Sequence, residues 1–324
     1  SSRQLVAAGP FTGCLESMMK HQQSSEYLEV DGYSLHLRRL TPHQAHQGVA
    51  LLLHGAIENG RIFYSNSGKG LASFLADQGL LVYCADFAGR GRSKPHVRDG
   101  FDQSQHQLIC QDIPVLIRTL SQRHGCQIHL MAHSWGGVVA VASLIRFDDV
   151  RALVASQCYF GTKRRISVNS LQRRFKIDLM WNTVGPWLAK RYGYLPAKKY
   201  KIGADDEPHG YLLDTIAWIN SATFCDPTDQ FDYADAAKAV CWMPSLFYAA
   251  VRDTVLGHPH DVQAFMNESN LADASYRLLG KQSGDSLDFD HISMLTHPNA
   301  VQGHFSQLRA WLQQVPVRAV PPVY

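Results

Sequence analysis

Residues 128–137, Ile-His-Leu-Met-Ala-His-Ser-Trp-Gly-Gly, constrain this chain more than any other stretch. A short apolar run of strand character leads into Ala132-His133-Ser134-Trp135-Gly136, a small-x-Ser-x-Gly pentapeptide. Residues 138–145 continue as a mostly apolar segment of helix length. Strand, sharp turn and helix in that order form the setting in which such a pentapeptide holds a serine oxygen exposed on a strained turn. The positions two before and two after the serine must be small, because the strand and helix backbones crowd there. Ala132 satisfies that requirement in place of glycine. Ser134 is therefore read as a nucleophile. An ordinary strand-to-helix turn is the competing reading, and the pentapeptide alone does not choose.

The rest of the chain supplies the context. Residues 49–53 are a short continuous apolar run, the pattern of a strand buried on both faces. It ends in His54-Gly55-Ala56-Ile57-Glu58. A His-Gly after a buried strand lets the backbone bend back and aim the next amide into a cleft. In acyl transfer that amide is one oxyanion donor, and the amide after the nucleophile is the other. Here these are Ala56 and Trp135, with His54 and Gly55 supporting the loop. A plain strand-end turn is the alternative, and Glu58 reads equally as a loop partner or a solvated carboxylate.

Residues 27–30 and 34–40 flank Asp31-Gly32, a hairpin signal. Residues 70–78 read as a helix, 80–85 as a buried strand, 105–123 as a helix and 150–156 as the next strand. Such alternation argues for a mostly parallel central sheet with helices on both faces. The glycine-rich loop from Asp86 to Ser93 lacks the G-K-[ST] ending of a phosphate loop. It is read as structural, with Asp86 and Ser93 tying the turn.

The alternation breaks from 158 to about 240. Residues 161–201 carry eleven Lys or Arg against one acid, Asp178. Leu171, Phe175, Leu179 and Met180 fall at helical spacing, and Val184, Trp187 and Leu188 continue that face; residues 210–222 read as a further helical piece. A helical insertion after a central strand would sit over the carboxyl edge of the sheet as a lid above Ser134. Its positive charge is either a solvated face or a contact with an anionic headgroup, thioester tail or membrane surface. The strand pattern resumes at 244–251 and is followed by Asp253. A helix over 258–267, a strand over 276–279, a loop holding His291 and a closing helix over 299–313 complete the chain. The expected division is an N-terminal extension over 1–26, a core over 27–157 and 241–324, and a lid over 158–240. Within the extension, Leu15, Met18 and Met19 are placed on one short helix.

Ser134, Asp253 and His291 thus occur in the order Ser, Asp, His, each just after a predicted strand on one edge of one sheet. A serine hydroxyl needs a histidine to take its proton, and the carboxylate fixes the tautomer and steadies the imidazolium. On these residues, together with His54 to Glu58 and Asp86 to Ser93, the chain resembles the α/β-hydrolase superfamily over about 27–315. Within it the chain is similar to the monoacylglycerol-lipase and serine-aminopeptidase-like branch. The resemblance implies serine hydrolysis of a carboxylic ester through an acyl-enzyme, with neither metal nor organic cofactor. Thioesterase, lactonase and acyltransferase chemistry use the same machinery. A non-catalytic ligand-binding module on this fold is the reading from another class.

Asp285, Asp288 and Asp290 compete with Asp253, but adjacent residues of an extended loop point apart. His297 competes with His291, and His133 is expected to pack behind the elbow. A net charge of +3 over 324 residues argues against a nucleic-acid partner, and no apolar run approaches the roughly 18 residues of a membrane span. The expected partner is a small-molecule ester with a medium or long acyl group, with a contact to anionic membrane through 163–201 as a further expectation. Cys14, Cys84, Cys110, Cys126, Cys158, Cys225 and Cys241 form no C-x-x-C pair. That favours reduced thiols and a cytoplasmic setting. The sixteen histidines show no metal-ligand spacing, and nothing resembles a retained secretory signal.

Overall fold

The computed structural model describes residues 19–322. Cys14 and the helix expected around Leu15 and Met18 lie outside the described residues. One eight-stranded sheet runs in the order β1-β2-β4-β3-β5-β6-β9-β10. Its strands are β1 (His21–Val30), β2 (Tyr33–Pro42), β3 (Val49–Leu53), β4 (Leu81–Ala85), β5 (Ile128–His133), β6 (Val154–Phe160), β9 (Ser245–Ala250) and β10 (Ser275–Leu279), while β7 (Tyr194–Leu195) and β8 (Glu207–Pro208) form a separate small ladder. β1 and β2 form the antiparallel hairpin turning at Asp31-Gly32, and β2 joins β4 antiparallel. All pairings from β4 through β3, β5, β6 and β9 to β10 are parallel.

The continuous apolar runs follow from this layering. Leu51 and Leu53 pack on one face with the helical stretch 105–124 and the helix Trp135–Arg146. Ala50 and Leu52 pack on the other with the helix Leu71–Asp77 and the closing helical stretch 298–313. Successive residues of a strand point to opposite faces, so a strand covered twice has no exposed side to mark with polar residues.

Two boundaries differ from those read in the sequence. β1 begins at His21, inside the stretch assigned to an N-terminal extension. Residues 150–156 are not one strand: Val150 lies in a short helix, Asp148–Arg151, and β6 runs from Val154 to Phe160, past the expected strand end at 156 and the expected core boundary at 157. Val150 is buried from a helical turn, which makes it look like strand. The true strand hides polar groups by pairing them laterally. Gln157 donates to Ser245 Oγ at 2.7 Å and Tyr159 donates to Gln157 Oε1 at 2.6 Å, so its sequence does not read as apolar.

Between β6 and β9 the chain forms a helical stretch over 171–192, the β7–β8 ladder, the helix His209–Asn220 and the short helix Tyr233–Ala237. The first is π-helical over Arg174–Val184. The apolar face read along it divides in two. Leu188 is buried, as is Ile177 outside that face, while Leu171, Phe175, Leu179 and Trp187 are exposed by 83%, 61%, 48% and 64%. No helix among the described residues is long and apolar enough to cross a membrane. Among them Cys84, Cys110, Cys126, Cys158, Cys225 and Cys241 are free thiols.

Candidate active site

The turn between β5 and the helix Trp135–Arg146 holds Ser134 at φ 52° and ψ −125°. That left-handed backbone is costly for a non-glycine residue, about 1–3 kcal/mol, and it lifts Oγ off the sheet edge. The strand and helix backbones crowd at position 136. A Cβ on Gly136 would lie 2.2 Å from the carbonyl oxygen of His54 at the end of β3. Ser134 itself is fixed from β6: its amide donates to Phe160 O at 2.8 Å, and Thr162 Oγ1 donates to its carbonyl at 2.9 Å.

His291 Nε2 lies 2.9 Å from Ser134 Oγ, and His291 Nδ1 lies 2.5 Å from Asp253 Oδ2. Asp253 Oδ1 accepts the Gly257 amide at 2.9 Å. The carboxylate therefore accepts the hydrogen bond from Nδ1–H and leaves Nε2 free to accept from the serine. Burial, and then the charges of His133 and Lys163, hold the His291 pKa below its ordinary value, against the upward pull of Asp253. Burial works upward on Asp253 as well, but His291 and the Gly257 amide hold it below the usual carboxylate range. The arrangement is a neutral imidazole beside an ionised carboxylate.

The competing residues have other partners. Asp285 accepts from Gly280 N and Arg277, Asp288 from Lys281 N, and Asp290 from the amides of Ile292 and Ser293. His297 Nδ1 accepts the Asn299 amide and caps the turn it opens. Each closes a local turn.

Trp135 is the first residue of its helix, so its amide has no partner within the helix. The Ala56 amide is oriented through its neighbours. His54 Nε2 accepts the Phe87 amide at 3.0 Å, so its proton is on Nδ1, which donates to Gly55 O at 2.8 Å. The Gly55 carbonyl and the Ala56 N–H belong to one planar peptide and point oppositely; fixing the first aims the second. The flanking amides are taken by carboxylates: Gly55 N donates to Glu58 Oε1 and Ile57 N to Glu207 Oε2, both at 2.5 Å.

His133 is buried behind the elbow and bridges three parts of the site. Its Nε2 faces the His291 carbonyl at 2.8 Å and its Nδ1 faces Glu58 Oε1 at 2.7 Å. A carbonyl only accepts, so Nε2 carries a proton. Glu58 Oε1 already accepts from Gly55, so Nδ1 carries one too. Against the effect of burial, Glu58 raises the His133 pKa and His133 lowers that of Glu58. A buried ion pair thus ties the loop after β3 to the backbone of His291. Of the two readings of Glu58, the loop partner is the one the geometry matches.

Glu207 and Arg90 were not legible as site residues. Arg90 Nε donates to Glu207 Oε1 at 2.8 Å, and its guanidinium lies 4.3 Å from the Tyr211 ring centroid. Beside them Asp205 accepts from Gly91 N at 2.6 Å and Asn59 Nδ2 at 2.8 Å, while its own amide donates to Ile57 O at 3.0 Å. The segment 205–207 is thereby clamped to both loops, after β3 and after β4. The loop after β4 is tied as expected, with Ser93 Oγ donating to Asp86 O at 2.7 Å. The group His106, Asp226 and Asp229 has metal-like spacing, but Arg146 already bridges its two carboxylates.

A mostly parallel sheet with helices on both faces and a serine elbow at its carboxyl edge is the architecture of an α/β-hydrolase. A family model described as serine aminopeptidase, S33, matches residues 44–205, half of the chain, and the chain belongs to that family. Among solved structures, a soluble variant of monoglyceride lipase from Saccharomyces cerevisiae with a substrate analogue superposes with a TM-score of 0.66 at 14% identity, covering 90% of this chain and 95% of that one. The enol-lactonase of Burkholderia xenovorans LB400 gives 0.57 at 17% identity over 89% of this chain and 100% of that one. A thermophilic esterase from Thermogutta terrifontis gives 0.55 at 15% identity over 90% and 98%. These likenesses are of fold. No curated protein matches the chain.

Proposed function

We propose that this α/β-hydrolase cleaves the carboxylic ester of a small-molecule acyl substrate through an acyl-enzyme. The observation that carries the reading is the 2.9 Å and 2.5 Å pair of contacts linking Ser134, His291 and Asp253. His291 takes the proton as Ser134 Oγ attacks the carbonyl carbon, and the Ala56 and Trp135 amides receive the oxyanion. His291 then gives that proton to the departing alkoxide. Water, deprotonated in turn by His291, releases the acid and restores the serine. The segment 158–240 is the lid in this reading. Hydrolysis of a nitrophenyl ester ladder from acetyl to palmitoyl tests it. A maximum at one chain length that depends on Ser134 supports an esterase, whereas an inert ladder together with no labelling by a fluorophosphonate favours a binding module.

The base must be neutral to act, and its pKa is held below the ordinary 6.5. The kcat/KM profile should therefore be flat through neutral pH and fall on an acid limb centred below 6.5. A limb centred above that value would contradict the environment described for His291.

The exposed stripe Leu171, Phe175, Leu179 and Trp187 favours one addition. It is flanked by exposed Arg174, Lys176, Lys190 and Arg191. Apolar side chains ringed by cations suit the boundary of an anionic bilayer. Co-sedimentation with vesicles containing phosphatidylserine should exceed that with neutral vesicles and fall for Phe175→Ser/Trp187→Ser. Equal, salt-insensitive behaviour would mean a solvated face.

A further inference from the structure

Three consecutive residues after β6 reach three parts of the candidate site. A Cβ on Gly161, which has φ 62°, would lie 2.9 Å from His291 Nδ1. Thr162 holds the Ser134 carbonyl. Lys163 follows, only 4% exposed, with its Nζ 5.6 Å from the centroid of the Trp135 indole. Trp135 carries a candidate oxyanion amide, so this ammonium packs on the side chain of a residue of the candidate site.

Its neighbour shows what a satisfied buried cation looks like here. Arg164 donates to Glu268 at 2.8 Å and to the carbonyls of Trp218 at 2.6 Å and Ser221 at 3.0 Å. Among the described residues Lys163 makes no ion pair within 4.0 Å and no side-chain hydrogen bond, although its Nζ is not one of the fully enclosed unpartnered atoms. An ammonium offers three donors, and burying it unpaired is costly. The Trp135 ring face supplies an attraction but accepts no conventional hydrogen bond. Gln105 adds a second donor beside the same ring. It is buried, its Oε1 accepts Trp135 Nε1 at 2.8 Å, and its Nε2 is without a partner.

Building on the esterase reading, we infer that Lys163, with Gln105 at the edge of the same Trp135 indole, recognises an anionic group on the substrate, a carboxylate or phosphate carried by the ester. Burial pulls the ammonium down to about 8, against the pull of Asp253 and Asp261, so it remains charged at neutral pH. An anion meeting it replaces the missing partner.

The test compares esters matched in length but differing in charge: the nitrophenyl monoesters of adipate and suberate against nitrophenyl hexanoate and octanoate. A second pair places the charge on the leaving group, 4-acetoxybenzoate against its methyl ester. Wild type should favour the charged member of one pair, which identifies the side that carries the anion. Lys163→Met should lower kcat/KM for that member on the order of 10- to 100-fold more than for its neutral match. Gln105→Leu should move the same ratio in the same direction by less. No preference in wild type, or equal losses on charged and neutral esters, would reduce Lys163 to a structural cation and overturn the inference. If no ester is turned over, the esterase reading fails separately. Monomethyl suberate and phenyl phosphate then serve as binding probes: one of them should raise the wild-type Tm and not that of Lys163→Met, and equal or absent shifts would overturn the inference.

Discussion

Replacing Ser134 by alanine should abolish ester turnover, by at least about 10⁴-fold in kcat, and leave the fold intact. Alanine meets the same left-handed backbone as serine, so the strain of the elbow is unchanged. Only Oγ and its contact with His291 Nε2 are lost, and stability should move by no more than about 0.5 kcal/mol. The matching variant Asp253→Asn keeps the shape but presents an amide that can favour the wrong imidazole tautomer, with a loss of about 10⁴-fold. Turnover of the nitrophenyl ladder, fluorophosphonate labelling and a melting curve check the set. Retained turnover by pure Ser134→Ala protein would sink the nucleophile assignment. Lost turnover with a collapsed melting curve would show that Ser134 is needed for folding.

What the sequence discloses follows the range of the forces involved. β3, β4 and β9 show as apolar runs because both their faces are covered, and the hairpin shows because Asp31-Gly32 states its turn. The elbow is legible because its steric demand is local, two residues either side of Ser134. The placement of Asp253 and His291 is legible through topology. Each follows a parallel strand, so side chains 157 and 38 positions apart meet at one edge. β6 is misplaced because its polar groups are satisfied by side chains, Tyr159 on Gln157 within the strand and Gln157 on Ser245 of β9, contacts that an apolar pattern does not carry. The insertion is misread for a related reason. A basic stretch looks uniformly solvated, yet Lys163 and Arg164 are buried while Leu171 and Phe175 are not. The acid run Asp205-Asp206-Glu207, directly after eleven basic residues, is the signal that this stretch has an interior of its own.

That acid run leads to the second large effect. Arg90 and Glu207 are both fully buried, and Glu207 also receives the Ile57 amide next to the candidate oxyanion donor. Removing one partner of a buried ion pair costs far more than replacing both, about 3–5 kcal/mol, because the remaining charge is stranded. Arg90→Met should therefore lower stability by about that much at neutral pH. Burial already raises the Glu207 pKa, with Arg90 opposing, so losing Arg90 raises it further. A carboxyl whose folded pKa exceeds its unfolded one binds protons preferentially in the folded state. The deficit of Arg90→Met should accordingly be largest at neutral pH and shrink as the pH falls toward 5. Arg90→Met/Glu207→Gln should recover more than half of it, since glutamine still offers an oxygen to Ile57 and no charge is stranded. Urea melts of the three proteins at two pH values measure this. Turnover should follow the same order, because the peptide that follows the Ala56 amide is held from the same carboxylate through Ile57 N. Full activity in a destabilised Arg90→Met would separate the root of the insertion from the oxyanion loop and confine the pair to a structural role.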